Sequence, residues 1–308
     1  MKKIHTWAKA TFILCFLVII AGGIVRTTQS GMGCPDWPKC FGKWIPPTNV
    51  SELPADFEKY LRKQDIDHTF NPYHTWIEYF NRLFGVLLGF FAIIQVVLLF
   101  KKRDQQRKPY RLAIWFLVTV ILTGLFGAMV VKLNLAHVSI SVHLFFALLL
   151  VQIQMALLLS LSGKISWILI NKKIQKWLLA FLLVLIIHSA LGTMVRIYVD
   201  DISKQLNYGQ REAWLAKIPF AFIIHRTFSW VVLAFAFYIM WLFKDKPSTR
   251  NKIFFLLAIV IANMIAGIVL YYADMPAIAQ PIHLLLATIA ITQTVNVLLQ
   301  LKPVKSVI

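Results

Sequence analysis

His225 and His283 each lie a few residues inside a long apolar stretch, at a depth where an ionisable side chain is costly and usually functional. Two facing helices that offer one imidazole each at one level can hold a haem edge-on between them as its axial ligands. The pattern recurs upstream with one change: His143 matches His283, but Asn81 stands where His225 stands. Asn is a weak iron ligand, so a haem in the first half would be held by His143 alone, with a coordination position open and Asn81 hydrogen-bonding to whatever is bound in that pocket. A saturated haem is suited to moving electrons, and an open one to chemistry. Glu78 shares a helix face with Asn81, at a place where the second half has Phe222, and an acid there could shuttle protons in a dry cavity. The simpler reading is an ion pair from Glu78 to Arg82, which does not exclude that role.

Four arginines fall where haem propionates would point: Arg226 directly after its histidine, Arg82 at the matching place in the first half, and Arg26 and Arg196 closing two apolar stretches. A guanidinium fork suits a carboxylate, although snorkelling to lipid phosphates would place the same residues similarly. His188, deep in its own stretch, reads as a core histidine satisfied by a hydrogen bond rather than a ligand or relay. Cys34 and Cys40 bracket Pro35-Asp36-Trp37-Pro38-Lys39, a spacing that permits a structural or redox-active disulfide. A metal site with His68 and His74 is the sharper alternative, but its spacing fits no standard zinc pattern. Cys15 reads as a small core residue.

The elements that must position these groups are membrane helices. The 308 residues are 59% hydrophobic, and mean hydropathy is +0.70. Eight apolar stretches, at about 8–28, 76–100, 110–131, 138–161, 176–196, 219–243, 252–272 and 281–301, are each long enough to cross a bilayer. They lack the dyad alternation of barrel strands, so they read as helices. Gly127 precedes His143 by sixteen residues and Gly267 precedes His283 by the same number, which makes the chain a duplication. The fold expected is an all-α polytopic protein of two tandem four-helix bundles, residues 1–165 and 166–308.

Net charge is +19, and the excess sits in alternate links: Lys2, Lys3 and Lys9; the 101–111 link; Lys164 to Lys176; Lys244 to Lys252; Lys302 and Lys305. Basic residues mark the cytoplasmic side, so both termini are expected in the cytoplasm of a cell (inner) membrane protein. The charge is a topology signal that also suits anionic lipid, and nucleic-acid binding is not expected. The first stretch reads as a retained helix rather than a cleaved signal, because no small-x-small site follows it. Residues 29–75 and 197–218 are the two long external segments, with an amphipathic helix expected around 51–64.

Gly22-Gly23-Ile24-Val25-Arg26, the loop from Ser30 to Cys40, and Trp76-Ile77-Glu78-Tyr79-Phe80-Asn81-Arg82 together resemble the haem A synthase family, and the likeness covers nearly the whole chain. The resemblance implies a membrane oxidoreductase that oxidises the C8 methyl of haem O to the formyl group of haem A, by successive hydroxylations and loss of water. It implies haem b on His225 and His283, substrate haem O facing His143, Glu78 as catalytic carboxylate, and Cys34 and Cys40 as the external-loop pair. Its implied partners are haem O synthase as supplier, a membrane electron donor, and the assembly of terminal haem-copper oxidases. Many members have histidine where this chain has Asn81, and some have a second cysteine pair where residues 197–218 have none. A b-type cytochrome confined to electron transfer would also explain paired histidines, but not Glu78 or the cysteine loop. A transporter would explain the duplication without any cofactor.

Overall fold

The computed structural model describes residues 1–61, 70–162, 167–214 and 220–304. His68, the end of the expected 51–64 helix, and Lys164 and Lys305 lie outside the described residues. Among the described residues, eight helices are long and apolar enough to span a membrane: α1 (Lys2–Thr27), α3 (Pro72–Phe100), α4 (Arg107–Lys132), α5 (His137–Leu161), α6 (Lys172–Gln205), α7 (Phe220–Leu242), α8 (Pro247–Tyr272) and α9 (Ala279–Leu298). A short helix, α2 (Glu58–Leu61), lies in the segment between α1 and α3. The chain divides into two compact units, Met1–Ser162 and Gly163–Ile308, each with four of the long helices. This is a multi-pass, all-α membrane protein. Its helices turn large apolar side chains outward, including Phe90, Trp115 and Phe145 in the first unit and Trp230 and Phe254 in the second. In water that surface would be a liability; in lipid it is the expected exterior.

Polar side chains inside the bundles join helices to each other. Gln154 donates from Nε2 to the Ala8 carbonyl and to Gln95 Oε1, both at 2.9 Å, and Gln95 donates to Thr11 Oγ1 at 2.9 Å, tying α1, α3 and α5. Without a hydrophobic drive between helices in lipid, such bonds help specify the packing. The second unit has a larger apolar core around Phe181, Ile239, Phe243, Ile253 and Leu256.

The duplication reaches the backbone. Asn134 and Leu135 after α4, and Asp274 and Met275 after α8, adopt the left-handed conformation in succession. Leu135 N–H returns to the Val130 carbonyl at 2.9 Å, and Met275 N–H returns to Leu270 at 3.0 Å, so the two corners are built alike.

Three features depart from the sequence expectation. Strands β1 (Ile168–Asn171) and β2 (Leu301–Val304) form a parallel pair in the second unit, where the sequence offers only two short apolar runs far apart. The segment expected to leave the membrane after Arg196 continues as helix to Gln205. A charged residue ends an apolar run without ending a helix, and here Arg196 pairs with Asp200 one turn on at 2.8 Å while Val199 packs with Trp214 and Met275. The amphipathic helix expected at 51–64 is broken into a 3₁₀ turn, Val50–Glu52, and α2, because Leu53 is held extended before Pro54.

The long segment after α1 has a core of its own. Cys34 and Cys40 are disulfide-bonded, which removes them as metal ligands. They pack with buried Phe41 against Phe57, Tyr60, Phe70 and Tyr79. Asp36 accepts the Phe41 N–H at 2.6 Å and the Gly42 N–H at 2.9 Å, and Gly42 takes the positive φ the turn requires. Further along, the Thr48 N–H bonded to Glu52 holds that carboxyl below the usual carboxylate range. Gly33 is the seating point: a Cβ there would lie 2.2 Å from the His74 carbonyl oxygen, and Thr75 Oγ1 donates to the Gly33 carbonyl at 2.9 Å. Gly33→Ala is therefore expected to unseat the loop at a local cost of more than about 2 kcal/mol, read as faster proteolysis between residues 43 and 61 with the helices intact.

Candidate functional site

In the second unit three histidines from three helices come together. His283 on α9 has Nδ1 3.0 Å from the Asn263 carbonyl of α8. A carbonyl can only accept, so Nδ1 carries the proton and Nε2 keeps its lone pair. The ring is seated over Gly267 of α8, where a Cβ would lie 3.3 Å from Cε1. His225 on α7 is seated in the same way over Gly192 of α6, with 3.1 Å between a Cβ there and its Cε1. Its Nδ1 is buried beside the His188 backbone without forming a well-aligned hydrogen bond. The His225 and His283 ring centroids are 6.4 Å apart and the planes are 82° from parallel. A metal between two imidazoles needs about 2 Å of bond plus about 1 Å of ring radius on each side, roughly 6 Å in all. The spacing, the open nitrogens and the glycine seats fit a bis-histidine haem.

His188 on α6 does not take the hydrogen-bonded core role expected of it. Its ring stacks on His225 at 4.2 Å between centroids and 10° between planes, and its buried Nε2 has no partner among the described residues. No group of three or more His, Cys, Asp or Glu placed to hold a metal ion is found among the described residues.

The first unit repeats the seats with different occupants. His143 on α5 has Nδ1 3.0 Å from the Thr123 carbonyl of α4, and its Cε1 sits 3.2 Å from where a Gly127 Cβ would be. It therefore presents Nε2 as His283 does. Gly22 of α1 takes the place of Gly192, but the side chain over it is Asn81 of α3, whose Oδ1 lies 4.0 Å from a Cβ built there. Three seats carry imidazole and the fourth carries an amide. Gly127 and Gly267 were legible as markers of the repeat; Gly22 and Gly192 were not recognised as seats. Their signal was available, since each stands four residues before the arginine of its stretch, Arg26 or Arg196.

Glu78 is buried on α3, and the ion pair that the sequence suggested is present: Arg82 reaches Glu78 Oε1 with Nη2 at 2.5 Å and with Nε at 3.2 Å. Glu78 Oε2 accepts the Cys34 N–H at 2.7 Å. Arg82 also donates Nη1 to the Asp36 and Lys39 carbonyls at 2.7 and 2.9 Å, and Nη2 to the Cys34 carbonyl at 2.7 Å. A guanidinium has five N–H donors, and all five are used. Arg82, expected at a propionate, thus clamps the disulfide loop onto α3 and has no donor to spare.

The other arginines differ. Arg196 bonds Gln280 Oε1 and Asp200, both within the second unit. Arg226 is exposed, with its guanidinium 5.7 Å from the centroids of both Phe222 and Tyr271, and no carboxylate partner among the described residues. It occupies the position of Arg82, with Phe222 in place of Glu78. Arg26 is half-buried in the last turn of α1.

The chain is 25% identical to a haem A synthase of Flavobacterium psychrophilum over 95% of its own length and 96% of that protein, and 23% identical to one of Flavobacterium johnsoniae over 93% and 94%. A 29% match to a haem A synthase of Shewanella oneidensis spans 45% of this chain and only 40% of that relative. The family model described as cytochrome oxidase assembly protein matches residues 5–295, from inside α1 to inside α9, and the chain belongs to that family.

Proposed function

We propose that the chain is a haem A synthase, a membrane oxidoreductase that takes haem O as substrate and oxidises its C8 methyl to the formyl of haem A for terminal haem-copper oxidases. The observation that carries the reading is the unequal duplication: three glycine seats hold imidazoles, while the fourth holds Asn81 on the same helix as buried Glu78. His225 and His283 would hold haem b, which when bound supplies one-electron transfer. His143, with its Nε2 lone pair free, orients substrate haem O. The Asn81 amide hydrogen-bonds to what lies opposite His143, and Glu78 takes up and releases protons as C–H bonds are replaced by C–O bonds. Arg226 is the better candidate for a propionate, Arg26 and Arg196 having interactions of their own and Arg82 being fully used. Arg82 acts instead as the positioning residue for Glu78.

The basic links support a topology with both termini on the cytoplasmic side of a cell membrane and the disulfide loop outside. Haem O would come from haem O synthase through the membrane, and electrons from a membrane donor. The test is haem extraction and mass analysis from a host that makes haem O but no haem A, with and without this chain. A new haem A species is expected. Bound haem b without conversion, at full expression and with electron supply, would point to a b-type cytochrome confined to electron transfer.

A further inference from the structure

We infer that His188 is a positioning residue that fixes the ring plane of His225 as an axial ligand. The inference rests on the haem b reading of His225 and His283. Two contacts from one face of α6 hold the His225 ring: Gly192 leaves room at Cε1, and His188, one turn earlier, lies flat against the ring at 4.2 Å and 10°. His188 is itself flanked by Phe228, one turn past His225 on α7, at 5.9 Å. The Nδ1 of His143 and of His283 each forms a 3.0 Å bond to a carbonyl four residues before the seat glycine, whereas the Nδ1 of His225 lies by the matching backbone of His188 without a bond of that geometry. An imidazole ligand whose anchoring hydrogen bond is poorly formed turns more easily about its Cβ–Cγ bond, and a parallel ring at stacking distance adds restraint.

The first unit is the internal control. In the matching stretch Val18 stands four residues before Gly22, and the residue over that glycine is Asn81, which offers no ring to stack. Imidazole at 188 accompanies imidazole at 225 within one chain. The relative orientation of two axial imidazole planes sets the anisotropy of a low-spin ferric haem, so the restraint has a spectroscopic signature separate from turnover.

The experiment compares purified wild type, H188F and H188L by EPR of the ferric state and by redox titration. Phe keeps a flat ring against His225, and Leu keeps the apolar volume without one. The expected result is a shift or broadening of the low-field low-spin signal and a changed midpoint potential in H188L, with H188F close to wild type. H188L losing haem b while H188F retains it would support the same conclusion. An unchanged spectrum in H188L, or a change that H188F fails to restore, overturns the stacking role, and loss of the bis-histidine signal in both variants would make His188 a ligand instead. Wild type with no low-spin haem b would sink the haem b reading itself, which separates that failure from this one.

Discussion

Replacing Glu78 with Gln is expected to lower haem A formation by about 100-fold or more, the scale on which a positioned proton-transfer group acts. The substitution is nearly isosteric, and Gln can still accept the Cys34 N–H that Glu78 Oε2 accepts at 2.7 Å. What it removes is the charge facing Arg82 and the ability to carry a proton. Because the same carboxylate anchors the disulfide loop, a loss of activity alone would not separate chemistry from loop seating. Thr75→Val supplies the separation, since it deletes the 2.9 Å bond to the Gly33 carbonyl and leaves the carboxylate untouched. Its expected effect on conversion is less than about tenfold, in keeping with the roughly 1 kcal/mol of an ordinary hydrogen bond. Conversion would be measured as the haem A to haem O ratio in extracted membranes, with loop integrity followed by proteolysis. Equal losses in both variants would make Glu78 a loop anchor and nothing more.

The carboxylate's surroundings show where sequence reasoning stops. The pair at positions 78 and 82 was legible, because residues four apart on a helix are neighbours whatever the fold. The Cys34, Asp36 and Lys39 carbonyls that complete Arg82's donor set were not, since a loop some forty residues away in sequence brings them there. The propionate expectation for Arg82 therefore rested on its place in the repeat, and the repeat carries position without partners. The seats behave in the same way. The sixteen-residue spacing from Gly127 to His143 and from Gly267 to His283 is visible because both residues belong to adjacent helices joined by a short corner. Gly192 and His225 lie on helices joined by a long segment, so nothing in their spacing links them. His188 on His225 is a contact between side chains that each look like core residues. Helix number was readable because lipid forces long apolar runs, whereas the extension of α6 past Arg196 was not, since it involves the Arg196–Asp200 pair and packing around Val199.

The duplication makes a second prediction of comparable size. His283→Ala is expected to remove the low-spin haem b spectrum, while His143→Ala leaves it intact and abolishes conversion. The two histidines have the same anchoring: Nδ1–H to a carbonyl on the preceding helix at 3.0 Å, and a glycine under Cε1. A structural role would therefore give similar consequences for both. The proposed roles differ because of what accompanies each ring in its own unit. His283 has His225 6.4 Å away, so its loss leaves a one-histidine haem with weaker retention and a changed spin state. His143 belongs to the unit whose fourth seat is filled by Asn81, so removing it deletes the only imidazole at that pair of seats. The measurement is the reduced-minus-oxidised spectrum of each purified variant, paired with haem extraction from the same membranes. If His143→Ala lost haem b along with activity, the assignment of one task to each unit would fail. Retained haem b with no haem A would place electron storage and substrate orientation in separate units, as the amide in the fourth seat implies.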